Sequence, residues 1–384
     1  MSVTAAKGFV AAGVAAGIKP SGRPDVSLVV NLGPLSAAAG VFTGNRIKAA
    51  PVLWSQQVLK AGKVIAVVLN AGNANACTGH LGFQHTHRSA EEVAALLDAS
   101  SADVAVCSTG LIGDYLPIEK LVSGVAVAHK ALSPGGGNDA AHAIMTTDTV
   151  PKQASVGSPN GWTIGGMAKG AGMLAPALAT MLVVLTTDAV ADAGQLDAAL
   201  RAATAKTFDR LDSDGCMSTN DTVLLLASGA SGVIPDPGEF AAAVEQVCQS
   251  LAEQLIDDCE GASKVIAIEV TGAASDDDAI EVARAVSRSN LLKCAIHGED
   301  PNWGRILAAV GTTSAAFDPG QVDVAINGVW ICKGSTIGDD RSGVDLSNRR
   351  VEITVELHAG ENATTLLTND LTADYVHENS AYST

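Results

Sequence analysis

At 384 residues the chain is long for one hydrophobic core, so two domains, or one large layered domain with a smaller companion, are expected. Hydrophobic residues make up 47% of it and aromatics only 3%, so its core has to be built from close-packed Ala, Val, Leu and Ile. A formal net charge of -17 argues against a nucleic-acid backbone or an anionic membrane surface as partner, since both need clustered Lys and Arg, and favours small-molecule chemistry.

Near the start, Lys7 precedes the mildly apolar GFVAAGVAAGI, whose glycines and lack of leucine speak against a signal peptide. No apolar run approaches the roughly 20 residues needed to span a bilayer, so the chain is read as soluble and cytoplasmic. Residues 64–69 predict a buried strand that ends in the polar turn NAGNANACTG, residues 70–79. Helical spacing follows over 89–97, and Val104 with Val106 begin a strand expected to stop at Ser108-Thr109-Gly110. His80, His85 and His87 cluster near the polar turn and are read as solvated loop residues, with no cysteine spacing to support a metal.

The seven scattered cysteines, none in a C-x-x-C pair, read as reduced and mostly packed thiols. Residues 237–258 predict a long amphipathic helix, 265–270 a strand, and the acidic SDDD at 275–278 the cap of another helix. Beyond residue 320 the pattern changes to hairpins: QVDVAI and VWICKG flank Asn327-Gly328, and VEITVELH from Val351 alternates cleanly. A composition boundary near residue 263 divides a larger layered domain, 1–263, from a smaller α+β domain, 264–384.

The stretch KGAGMLAPALATMLVVLTTDA, 169–189, places Thr180 between a glycine-rich approach and an apolar strand-like run. A hydroxyl at such a junction can attack its own preceding peptide bond. That would leave Ala179 as a new C-terminus and Thr180 as a new N-terminus, its free α-amine beside the hydroxyl it activates. By itself, a threonine opening a buried strand also simply suits a β-branched position. Ser-Thr-Gly after a strand is more often just a turn, and Lys169 alone reads as a solvated lysine able to meet a substrate carboxylate.

KGAGMLAPALATML, with STGLIG at 108–113, IMTTDT at 144–149, DPNWGRILAAVG at 300–311 and the terminal ENSAYST, closely resembles the ornithine acetyltransferases, or glutamate N-acetyltransferases, of arginine biosynthesis. The resemblance runs nearly end to end. It implies an α/β fold, a layered α-β-β-α sandwich shared with self-processing aminopeptidases, carrying the smaller C-terminal α+β domain. Cleavage between Ala179 and Thr180 into chains 1–179 and 180–384 is implied, as is a heterotetramer of two of each.

By the same resemblance, Thr180 carries the acetyl group from N-acetylornithine to glutamate, while Thr109 and Gly110 form the oxyanion hole. Substrate contacts fall on Thr146, Lys169, Thr180, Glu260, Asn379 and Thr384. Glu260, read as ending the 237–258 helix, opposes the helix dipole and suits a substrate ammonium. The tail carrying Asn379 and Thr384 is expected to return to the active site. Family members often end in serine where this chain has Thr384, and Cys216 and Met217 stand in a segment usually richer in small polar residues. No metal or bound cofactor is implied, and acetyl-CoA is left open as a second donor. Two other readings fit the sequence: an N-terminal-nucleophile aminopeptidase or amidase on the same fold, with water as acceptor, and a non-catalytic binding protein with an unprocessed chain.

Overall fold

The computed structural model describes residues 2–174 and 181–381. They form a mixed α/β structure with three sheets, and the chain divides into two units. One unit comprises the chain up to Asp209 together with Cys216–Asp258; the other comprises Arg210–Gly215 and the chain from Cys259 onward.

In the first unit, β1 (Phe9–Val14), β2 (Val26–Asn31), β3 (Ala37–Phe42), α1 (Ala50–Val58), β4 (Ala66–Asn73), α2 (Gly79–Leu97), β5 (Val104–Leu111), α3 (Ile118–Ala131) and α4 (Gly137–Ala143) precede a strand pair. The pair is β6 (Lys152–Gly157) and β7 (Thr163–Lys169); then come β8 (Leu182–Thr187), α5 (Ala193–Lys206), β9 (Thr222–Ala227) and α6 (Pro237–Asp257). One sheet has the order β1-β2-β4-β5, the other β3-β9-β8-β7-β6. Each contains one parallel pair, β4 with β5 and β8 with β9, joined by a crossover helix, α2 and α5 respectively.

Period-two alternation explains the layering. Val67 and Leu69 of β4 and Ala105 and Cys107 of β5 meet Leu182, Val184, Leu224 and Leu226 of the second sheet in one shared core. The intervening Ala66, Val68, Val104 and Val106 face outward onto Ala90 and Val93 of α2 and Leu121 and Val125 of α3. On the far side of the second sheet, α5 and α6 complete an α-β-β-α sandwich. Both faces of each sheet are covered, so their central strands read as unbroken apolar runs. Close approach needs small residues: a Cβ at Gly166 of β7 would lie 2.7 Å from Leu185 Cδ2 and 3.1 Å from Leu251 Cδ1 of α6.

The second unit has β10 (Val265–Ala273), α7 (Asp276–Ser287), α8 (Asn290–His297), α9 (Trp303–Val310), β11 (Asp323–Ile326), β12 (Val329–Lys333), β13 (Thr336–Ile337), β14 (Arg350–Glu356), β15 (Asn362–Asn369) and α10 (Ala373–Ala381). Its sheet order is β13-β12-β11-β14-β10-β15. Ile266, Ile268 and Val270 pack on Ala279, Val282 and Val286 of α7, whereas Glu269 on the alternate face is exposed. Ser275 caps α7 by accepting from Asp278 N at 3.1 Å, with three aspartates in the first turn complementing the helix dipole. The hairpin turn has Asn327 at φ 46° and Gly328 at φ 80°, the paired left-handed conformation that the Asn-Gly dipeptide favours.

The structure corrects four local readings. β4 continues to Asn73 and β5 to Leu111, because the parallel pairing of Ala71 with Thr109 and Gly72 with Gly110 extends both strands into the expected turns. His80, His85 and His87 lie on α2 rather than in a loop, and their surroundings differ: Gln84 meets His80, Glu91 meets His87, and His85 Nδ1 is buried without a partner. The long helix ends at Asp257 with Asp258 as its cap, leaving Glu260 in the following turn. Among the described residues, no helix is long and apolar enough to cross a membrane.

Candidate active site

Lys169 occupies the last position of β7, paired across the sheet with Leu182 of β8. A lysine ending an apolar strand is held inside only if its charge is answered, and this one is 2% exposed. Its Nζ lies 3.9 Å from Asp148 Oδ2 and donates to Thr109 Oγ1 at 3.4 Å, so the ammonium reaches from the second sheet to β5 of the first.

Asp148 is the centre of this polar cluster. Its Oδ1 accepts from Gly170 N at 2.7 Å and from Lys152 Nζ at 2.6 Å, and its Oδ2 accepts from Thr146 N at 2.9 Å. Burial pushes the carboxyl up, but the charges of Lys169 and Lys152 with these hydrogen bonds outweigh it, and the pKa falls to about 2. Lys152 in turn donates to Asp258 Oδ2 at 2.6 Å. Buried lysines and aspartates thus alternate, and the chain from Thr146 to Gly170 is fixed around one carboxylate.

At the same end of the sandwich, Asn220 ties the two sheets together. Its amide donates to Ala74 O at 2.6 Å and to Ser108 O at 2.8 Å, just beyond β4 and one residue before Thr109. The next residue, Asp221, accepts from Met181 N at 3.0 Å through Oδ1. Complete burial pushes its pKa well above the usual carboxylate range despite the Met181 amide, the hydroxyls of Ser218 and Thr43 and the charge of Lys169. Gly110, at φ 126°, allows β5 to press against β4: a Cβ there would lie 2.4 Å from Gly72 C. Cys107, two residues before Thr109, is fully buried and its thiol is pushed up to about 12, which makes it a poor nucleophile.

Thr146 faces a cleft of about 510 Å³ that is also lined by Lys19, Arg23, Asp139, His142 and Thr149. Such a volume suits a small molecule with a few placed polar groups. Residues 10–384 match the model of the ArgJ family.

The chain belongs to the ArgJ family. The arginine biosynthesis bifunctional protein ArgJ of Streptomyces avermitilis is 67% identical over 383 residues, spanning all of both chains. That of Thermobifida fusca is 62% identical over 384 residues, again spanning both. The ornithine acetyltransferase of Mycobacterium tuberculosis, solved in complex with ornithine, is 58% identical with a TM-score of 0.45 over 47% of this chain and 96% of that one. This ArgJ-family chain is an acyltransferase of arginine biosynthesis, an ornithine acetyltransferase that serves as glutamate N-acetyltransferase.

Of the site residues expected from the ArgJ-like motifs, Thr109, Gly110, Thr146 and Lys169 come together at one end of the first unit. Glu260 and Asn379 lie in the second unit, where Asn379 Nδ2 donates to Glu260 Oε2 at 3.1 Å. Ala179, Thr180 and Thr384 lie outside the described residues. Lys169 is buried against Thr109 and Asp148 rather than solvated. Asp148, Lys152, Lys19, Asn220 and Asp221 were not identified from the sequence. Asp148 sits inside the IMTTDT motif, and that was the one available signal; the others are single polar residues whose partners are distant in the chain.

Proposed function

We propose that acetyl transfer runs through Thr180, released as an N-terminus by cleavage after Ala179. Its hydroxyl attacks the acetyl carbonyl of N-acetylornithine, the C–N bond breaks, and ornithine leaves with the proton that the hydroxyl gave up. The α-amine of glutamate then attacks the acetyl-threonine ester and the threonine oxygen departs, so one difficult amide exchange becomes two easier steps. The freed α-amine of Thr180, of the type that titrates at roughly 7.7 to 8.0, is the general base.

The observation that best supports this reading is the Lys169 to Thr109 contact beside the start of β8. A hydroxyl that accepts from an ammonium has its own proton free to donate, and the ammonium strengthens that donation. Thr109 Oγ1 and Gly110 N–H are then the two donors for the oxyanion, with Lys169 behind Thr109 rather than on a substrate carboxylate. Thr146, Glu260, Asn379 and Thr384 are assigned to substrate contact, Glu260 to the ammonium end. The processed chains, 1–179 and 180–384, assemble as a cytoplasmic heterotetramer of two of each. Acetyl-CoA is a second donor, as suits relatives named bifunctional.

Labelled acetyl supplied as N-acetylornithine tests the transfer. Label should pass to glutamate, with ornithine released in equal amount. Label appearing as free acetate whether or not glutamate is present would make the protein an amidase instead.

A further inference from the structure

We propose that Lys19 binds the α-carboxylate of the amino-acid substrate in the cleft that Thr146 lines. The inference rests on the acetyl-transfer reading above and adds to it the group that orients both substrates.

Lys19 is held by a built turn. The buried Asp25 accepts from Ala16 N and Ile18 N at 2.6 Å each and from Lys19 N at 2.9 Å, so one carboxylate fixes the backbone on which the ammonium is mounted. Lys19 Nζ donates to Pro24 O at 2.6 Å and more weakly to Ala143 O at 3.5 Å. An ammonium has three donors, so one is left over, and among the described residues no carboxylate lies in ion-pair contact with it. The charged groups that act on it are Asp25, Asp148, Lys169 and Arg23, while Asp139 and His142 share the cleft wall. Burial is the largest influence and lowers the Lys19 pKa to about 8, overcoming Asp25 and Asp148. A desolvated cation with a spare donor, facing a cleft, is a place where an anion gains more than it would at the surface.

The reaction says which anion. In a two-step exchange, N-acetylornithine and glutamate successively present the same α-nitrogen to one acetyl carrier. The two molecules differ at the far end, an ammonium in one and a carboxylate in the other. The charged group that they share is the α-carboxylate, one bond removed from the carbon that bears the reacting nitrogen. A single cation that meets this carboxylate serves both half-reactions, and Lys19, which shares the cleft with Thr146 and feels the charges of Asp148 and Lys169, is the buried cation available for it.

The test uses the processed enzyme with N-acetylornithine and its α-carboxamide as donors. Wild type should prefer the acid by roughly 10- to 100-fold in kcat/KM, the worth of one charge-assisted hydrogen bond. Lys19→Met should raise KM for N-acetylornithine and for glutamate by a similar factor, leave chain cleavage complete, and abolish the preference for acid over amide; Lys19→Arg should retain most of it. The wild-type ratio of acid to amide should fall as pH rises through about 8, since the ratio cancels any titration common to both donors. This arm stands even where Lys19→Met fails to fold. A Lys19→Met enzyme that still discriminates acid from amide, or a wild-type ratio flat across pH 7 to roughly 9, would overturn the assignment of Lys19 and leave acetyl transfer standing. Absence of exchange in wild type itself would instead overturn the reading on which it rests.

Discussion

Asp148 and Asp221 are both fully buried, and their surroundings drive their protons in opposite directions. Asp148 is held ionised by Lys169, Lys152 and two backbone amides, so the fold favours its charged form. Its contribution to stability is present above the unfolded value near 3.8 and is lost as pH falls toward about 2. Around Asp221 the cost of complete burial outweighs the Met181 amide, the hydroxyls of Ser218 and Thr43 and the charge of Lys169, so the fold favours its protonated form. That contribution is full at acid pH and is lost as pH rises from the unfolded value through the raised one. Melting temperature measured against pH separates the two. Asp148→Asn should be destabilised by about 3 kcal/mol at neutral pH, the cost of weakening a buried ion cluster, with the deficit closing between about pH 4 and pH 2. Asp221→Asn, which imitates the neutral acid, should match wild type at acid pH and gain on it as pH climbs. Parallel curves for the two variants would show that these carboxyls do not titrate as their surroundings dictate.

Between residues and the whole stand the strand ends, where the two sheets of the first unit are stitched together. Asn220 precedes β9, yet its amide serves carbonyls that follow β4 and lie within β5. Asn220→Ala should cost about 2 kcal/mol or more, because two buried carbonyls lose their donor. It should also lower kcat more than it raises KM, since Ser108 O sits one residue before the proposed oxyanion threonine. Urea denaturation and steady-state kinetics on one preparation check both, and a loss of stability with unchanged kcat would uncouple the stitch from catalysis. The elements themselves were legible in the sequence: residues 237–258, 265–270 and the Asn327-Gly328 turn correspond closely to α6, β10 and the β11–β12 hairpin. Their ends were less so, because strand pairing carried β4 and β5 through residues whose local chemistry favours a turn. Lys169 was legible as a candidate but not as buried, since nothing near it in sequence announces Asp148 and Thr109 as partners. Asn220 and Asp221 were invisible for the same reason: their significance lies in contacts made across the sandwich.

At the scale of the molecule, the proposed chemistry turns on one bond, between Ala179 and Thr180. The motif around it, with STGLIG and IMTTDT, carried the expected family, and the match over residues 10–384 bears that out. The α-β-β-α layering follows from two sheets that each bury both faces. Cleavage and carrier chemistry belong together in this scheme, because the amine that breaking the bond sets free is the base that later turnover needs. The direct measurement is intact-mass analysis of wild type and Thr180→Ala before and after incubation with N-acetylornithine in the absence of an acceptor. Wild type should appear as two chains, 1–179 and 180–384, with a single acetyl group gained on Thr180 of the second. Thr180→Ala should remain one uncleaved, unacetylated polypeptide without exchange activity. Two chains from the variant, or acetyl carried by any other residue of wild type, would contradict the account.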